Sequence, residues 1–166
     1  MQLVKFYFLQ FNYYFCTLNT IFKHTKLENS IITRTAKLSF DKEELVLYIE
    51  IFSGNEIGLE DSIEHNLASQ KLTNGVYHCA FIKALGNIDI SSEARKYGSN
   101  PEIQNKLIAQ AVLVNSLATR IAGNFYIRFN KPPKPTRIFT NAEDAMSWLL
   151  YKKNEFLKTE AEAIKK

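Results

Sequence analysis

Two apolar runs, Val76 to Ala84 and Ala111 to Val114, constrain this chain more than any other feature. The first reads Val-Tyr-His-Cys-Ala-Phe-Ile-Lys-Ala, with too little alternation for a strand that shows one face to water. Runs of this kind belong to central strands covered on both faces, which implies parallel pairing and an α/β architecture. The segment before it agrees. Leu59, Ile63 and Leu67 recur at helical spacing, and Glu60, Asp61 and Glu64 crowd the helix start, where the backbone dipole favours negative charge. Asn74-Gly75 ends that helix, and strand, helix and parallel strand together form a right-handed crossover.

On the amino-terminal side, Ile32, Arg34, Ala36, Leu38 and Phe40 alternate with Ile31, Thr33, Thr35, Lys37 and Ser39, which predicts one half-buried strand. Asp41-Lys42-Glu43 turns the chain, and Leu45 to Phe52 alternates again, so the two strands pair as an antiparallel hairpin closed by Ser53-Gly54-Asn55. Further on, Gly86-Asn87 opens a loop, Ser91 or Ser92 caps a short helix, and Asn100-Pro101 marks another helix start. After the second apolar run, Ala118, Ile121, Ala122, Phe125 and Phe129 share a helical face, with Gly123 predicted to lie close against the sheet. Pro132, Pro133 and Pro135 stiffen the link into Arg137-Ile138-Phe139, read as an edge strand. Thr140 with Glu143 reads as a capping box for a last helix whose inner face carries Ala142, Ala145, Met146 and Leu149. The expectation is a mixed sheet of four or five strands, an antiparallel hairpin followed by parallel strands, covered by about four helices.

Composition bounds the function classes. The 46% hydrophobic and 23% charged content of this 166-residue chain suits one globular domain and argues against global disorder. Residues 1–26 hold Lys5, Lys23 and Lys26 and no acid, so of the formal net charge of +4 only +1 is left for the remainder, 18 bases against 17 acids. A nearly neutral body gives counterion release little to act on, so nucleic acid is not an expected partner. Cys16 and Cys79 share no metal-ligand spacing with His24, His65 or His78, and a reducing, cytoplasmic setting is expected.

Residues 1–26 form a segment apart, with eight aromatics and no Gly, Pro or Ala. No small-residue cleavage site follows its apolar run, and Gln10, Asn12, Thr17, Asn19 and Thr20 interrupt it, which argues against a signal peptide and a membrane span. Two readings stay open: an extension that packs or touches a membrane, or translated non-coding sequence ahead of a start at Leu27. The domain is expected over 27–152, followed by a charged helical tail, 153–166, that frays.

Over residues 28–152 the element order β-β-α-β-α-β-α-β-α resembles the STAS domain, the fold of bacterial anti-anti-sigma factors, and more closely looks like an uncharacterised bacterial STAS-like group. The residues that carry the likeness are Thr33-Arg34-Thr35-Ala36-Lys37-Leu38, Leu59-Glu60-Asp61, Ser91-Ser92-Glu93-Ala94-Arg95, Ala111-Val112-Leu113-Val114, Gly123-Asn124-Phe125, Lys131-Pro132-Pro133, and Ile138-Phe139-Thr140 through Trp148-Leu149. In regulatory STAS proteins a serine after the central strand, at the next helix start, is phosphorylated by a partner kinase. Ser91 or Ser92 occupies that place, which implies a regulatory site, although Ser91-Ser92-Glu93-Ala94 replaces the Asp-Ser-Ser-Gly of the phosphorylated factors. A plain helix cap is the alternative role.

The resemblance implies a non-catalytic module that binds another protein. The alternative is a small-ligand or lipid-binding domain, as in a related branch compared with CRAL-TRIO-type lipid-transfer domains, with an apolar pocket lined by Phe125, Phe129 and Trp148. Asp89, Ser91, Asn115 and Ser116 fall just past predicted parallel strands, where open α/β sheets gather ligands, though turn and cap chemistry also explains them. His78 and Cys79 alternate on opposite faces of one strand and so make no nucleophile and base pair. Both are expected in the core, with His65 solvated on its helix, Arg120 and Arg128 facing outward, and the Lys131 to Lys134 loop a stiff surface turn. No paired acid and base, Gly-rich phosphate loop or metal spacing is present, so no enzyme, cofactor or metal is expected.

Overall fold

Apolar strands flanked by helices produce a six-stranded mixed sheet here, with helices on both faces. The computed structural model describes residues 29–164 apart from Asn87 and Ser116, so the expectations for residues 1–26 lie outside the described residues. In chain order the elements are β1 (Ser30–Ile32), β2 (Ala36–Asp41), β3 (Val46–Ile51), β4 (Glu56–Ile57), α1 (Leu59–Thr73), β5 (His78–Ala84), β6 (Asp89–Ile90), α2 (Ser92–Gly98), β7 (Leu107–Leu113), α3 (Leu117–Asn130), β8 (Thr136–Phe139) and α4 (Ala142–Ile164). The sheet order is β1-β2-β3-β5-β7-β8, and β4 pairs with β6 in a separate two-stranded ribbon.

The two apolar runs lie side by side and run the same way, Phe81 opposite Ala111 and Ile82 opposite Val112. β5 also runs parallel to β3, and β7 to β8, so only the amino-terminal strands are antiparallel. A register shift between His78 and Ala80 inserts an extra residue in β7, and Ile108 and Ala109 are both buried beside it.

The expected strand over 31–40 is instead two strands. Ile31 pairs with Leu38 and Ile32 with Lys37, and the chain reverses at Thr33-Arg34-Thr35. Thr33 closes the turn locally: its N–H donates to Ala36 O (2.8 Å), and its Oγ1 both donates to Ala36 O and accepts from Ala36 N, each at 3.0 Å. Side-chain bonding of this kind gives the backbone an alternative to continuing the ladder, which period-two alternation does not register. This extra strand makes the sheet wider than the expected four or five.

Each face has its own core. Val46, Cys79, Phe81, Ala109 and Ala111 pack against Ala145 and Leu149 of α4, as the inner-face reading of that helix requires. On the other face Ala36 and Leu38 pack against Ala68, with Ile49, Ile51 and Leu72 alongside. α3 seats on β8 through Gly123, where an added β-carbon would meet Ile138 Cδ1 at 3.1 Å. The seated side of α3 runs through half-buried Thr119, Gly123 and Ile127, while Ile121 and Phe129 are exposed, contrary to the expected inner face. The smallest residue, not the largest ones, sets the approach of this helix to the sheet.

Two boundaries differ from expectation. Asn100-Pro101 starts a series of turns in place of a helix, with Asn100 O accepting from Ile103 N and Gln104 N, before β7 begins at Leu107. The cap of α4 is Asn141, whose Oδ1 accepts from Glu143 N (2.8 Å) and Asp144 N (3.0 Å), not Thr140. The charged helical tail expected after Lys152 continues α4 to Ile164. It is held by Phe156 against the Tyr77 ring, centroids 4.9 Å apart, and by Lys153 Nζ, which donates to Glu44 Oε2 and Glu44 O at 2.8 Å.

Candidate functional site

The β4–β6 ribbon brings the starts of α1 and α2 together. Ile57 pairs with Ile90, and Ser91 N donates to Ile57 O at 3.0 Å, so Ser91 and Ser92 lie beside the first turn of α1. Ser91 caps α2, its Oγ accepting from Ala94 N at 3.1 Å. Ser92 is exposed, and its Oγ donates to Glu93 Oε1 at 2.9 Å. That contact helps hold the Glu93 carboxyl below its usual range, after the larger effect of a backbone hydrogen bond. Asp89 is exposed on the same ribbon.

Next to these serines α1 shows water the apolar residues that recur at helical spacing. Leu59, Ile63 and Leu67 are 41%, 37% and 59% exposed, and their four-residue spacing makes them one stripe. The inner side of α1 is more polar than its pattern suggested, because Asp61 and His65 have partners far along the chain. Arg34 donates to Asp61 through Nε (2.8 Å) and Nη2 (2.6 Å), and Gly58 N donates to Asp61 Oδ2 (2.9 Å). The Arg34 guanidinium holds the buried Asp61 carboxyl below its usual range. His65, expected in solvent, is half-buried with Nε2 2.8 Å from Thr35 Oγ1. Together these contacts pin α1 to the β1–β2 turn and rotate Leu59, Ile63 and Leu67 outward.

On the ribbon Ile90 is also exposed, at 43%. Around the stripe stand exposed carboxylates: Glu56, Glu60 and Glu64 on the α1 side, Asp89 and Glu93 on the α2 side. The result is an apolar strip edged by these carboxylates and by the guanidinium groups of Arg34, which donates to Glu56 O, and Arg95, which donates to Ile90 O, with two serines at one end.

The remaining candidates lie elsewhere. Asn115 is exposed after β7, Ser116 lies outside the described residues, and so does the side chain of Phe125. Phe129 is 71% exposed, and Trp148 packs on Phe139, ring centroids 5.7 Å apart. A cleft of about 330 Å³ lies along the outer edge of β8, and Trp148 lines it, but Arg120, Arg137, Thr140, Asp144 and Ser147 give it a polar wall. These five were missed as a group because no sequence spacing joins them. Only the placement of α3, β8 and α4 does.

His78 is buried, Nδ1 2.8 Å from Val76 O, and Cys79 faces the opposite core, where burial pushes its thiol up to about 11. A thiol held protonated at neutral pH is a poor nucleophile, as the packing role expected of Cys79 requires. Among the described residues no group of three His, Cys, Asp or Glu could hold a metal ion.

Residues 40–153 match the family described as a domain of unknown function, DUF7793. The chain belongs to that family. No curated protein matches it. Among solved structures, this DUF7793 chain is similar to an uncharacterized protein of the DUF3478 family with a SpoIIAA-like fold from Shewanella loihica PV-4. The two share 16% identity with a TM-score of 0.51, over 69% of this chain and 91% of that one. The fold is therefore STAS-like, as the element order implied. No described helix of this DUF7793 protein is long and apolar enough to cross a membrane.

Proposed function

We propose that this protein is a non-catalytic STAS-like module that binds a partner protein through the strip formed by Leu59, Ile63, Leu67 and Ile90, under control of phosphorylation at Ser92. The exposed strip carries this reading: three large apolar residues at helical spacing, turned outward by specific polar contacts, beside the serines at the start of α2. Its edge carboxylates, Glu56, Glu60, Glu64, Asp89 and Glu93, fit a partner surface with an apolar centre and basic edges. Ser92 is the accessible hydroxyl of the pair, since the Oγ of Ser91 is engaged as a helix cap. A phosphoryl group there adds a charge of about −2 to the rim and removes the bond to Glu93, so it strengthens attraction for a basic partner. The lipid-binding alternative draws no support from the polar cleft at β8.

The test is capture from the native host followed by reconstitution with the purified partner. Ile63→Asp and Leu67→Asp should abolish binding while circular dichroism shows each variant still folded, and Ser92→Asp should raise affinity in a manner that added salt weakens. Binding that survives both stripe substitutions would remove the reading.

A further inference from the structure

We infer that the cleft on the outer edge of β8 is a binding site for a small aromatic oxyanion, an aryl phosphate or aryl carboxylate. β8 ends the sheet, with α3 on one side and α4 on the other, so the cleft lies along an open strand edge. Arg120 reaches it from α3, Arg137 and Thr140 from β8, and Asp144, Ser147 and Trp148 from the first turns of α4. Two arginines and a single carboxylate therefore line it, and among the described residues no salt bridge engages either arginine. Arg137 is positioned over the Phe139 ring, 5.1 Å from its centroid, and Phe139 in turn packs on Trp148.

The strand itself adds donors. Val114 N donates to Phe139 O and Gln110 N to Pro135 O, so the odd-numbered residues of β8 turn their backbone groups toward β7. By the alternation of a parallel strand, the N–H and C=O of Ile138 turn toward the open edge. An oxyanion there meets two arginines that can bind it in a forked geometry, a backbone N–H, and the hydroxyls of Thr140 and Ser147. The indole of Trp148 supplies a flat apolar wall for a ring attached to the oxyanion. A volume of about 330 Å³ is at the small end of ligand pockets, which limits the ligand to one ring and its acid group. The site also lies at the carboxyl end of a parallel strand, where open α/β sheets take their ligands.

Trp148 is the sole tryptophan of the chain, so its emission reports directly on this cleft. The full chain is titrated with phenyl phosphate, benzoate, inorganic phosphate and phenol, with isothermal calorimetry run in parallel for ligands that leave the emission unchanged. Expected is saturable binding of phenyl phosphate or benzoate at millimolar concentration or below, weaker binding of inorganic phosphate and none of phenol. Arg120→Gln and Arg137→Gln should each weaken binding about tenfold, on the strength of a charge-assisted hydrogen bond. Lys158→Gln, on the remote end of α4, should leave it unchanged, and thermal unfolding should match across all three variants. The proposal is overturned if neither aromatic acid saturates by about 10 mM, if inorganic phosphate binds as tightly as phenyl phosphate, or if both arginine variants bind like the parent.

Discussion

Gly123 shows how one missing side chain can set the position of a helix. Its place in α3 costs about 1 kcal/mol of helix propensity relative to Ala, and what it permits is the approach of the helix backbone to Ile138. Gly123→Val should destabilise the fold by roughly 1–3 kcal/mol through overpacking, and Ile138→Ala in the same chain should recover part of that loss in chemical denaturation. The histidines make a second residue-level prediction. Burial holds both His65 and His78 below the ordinary imidazole value of 6.5. Below that value the unfolded chain binds more protons than the folded one, so stability is full above about pH 6.5 and is lost as pH falls toward the lower folded values. The melting temperature should drop between pH 7.5 and 5, and His65→Gln or His78→Gln should each flatten the slope; an unchanged slope in both would contradict the assignment. The burial of His78 was legible from its place in an apolar run. The burial of His65 was not, because its partner Thr35 sits on a turn thirty residues earlier.

At the scale of elements, α4 is longer than its composition suggests because two of its late residues have distant partners. Phe156 on Tyr77 and Lys153 on Glu44 anchor the part of the helix beyond Lys152, whose own sequence offers mostly charge. Phe156→Ala should cost about 1 kcal/mol, the size of an aromatic pair with modest burial, and should speed proteolysis and amide exchange after Lys153 more than elsewhere. The strands β5 and β7 were readable because a buried parallel strand must be apolar throughout. The β1–β2 reversal was not, since alternation continues unbroken through Thr33, Arg34 and Thr35 while the chain turns on a threonine side chain. The same reason applies to α1. Periodicity marks Leu59, Ile63 and Leu67 as the apolar side, but Arg34 and Thr35 hold the opposite side to the sheet, so the pattern located the helix but not its inner face.

For the molecule as a whole, the order of elements carried the STAS-like architecture, because crossovers between parallel strands have one hand and few alternatives. What that order left unstated is where the surfaces of the two halves meet. The apolar strip depends on the contact between α1 and α2, and the arginine cleft on three elements converging at the last strand, so both are properties of assembly and not of any segment. The two surfaces also differ in their balance of charge, carboxylates outnumbering guanidinium groups around the strip and the reverse in the cleft. The ribbon of β4 and β6, only two residues on each side, has the widest reach for its size. Through Ile57 it splints the beginnings of two helices to each other. A force that displaces Ser91 therefore tugs on Gly58 and the first turn of α1, and a protein gripping Leu59 feels whatever happens to the neighbouring serines without touching them.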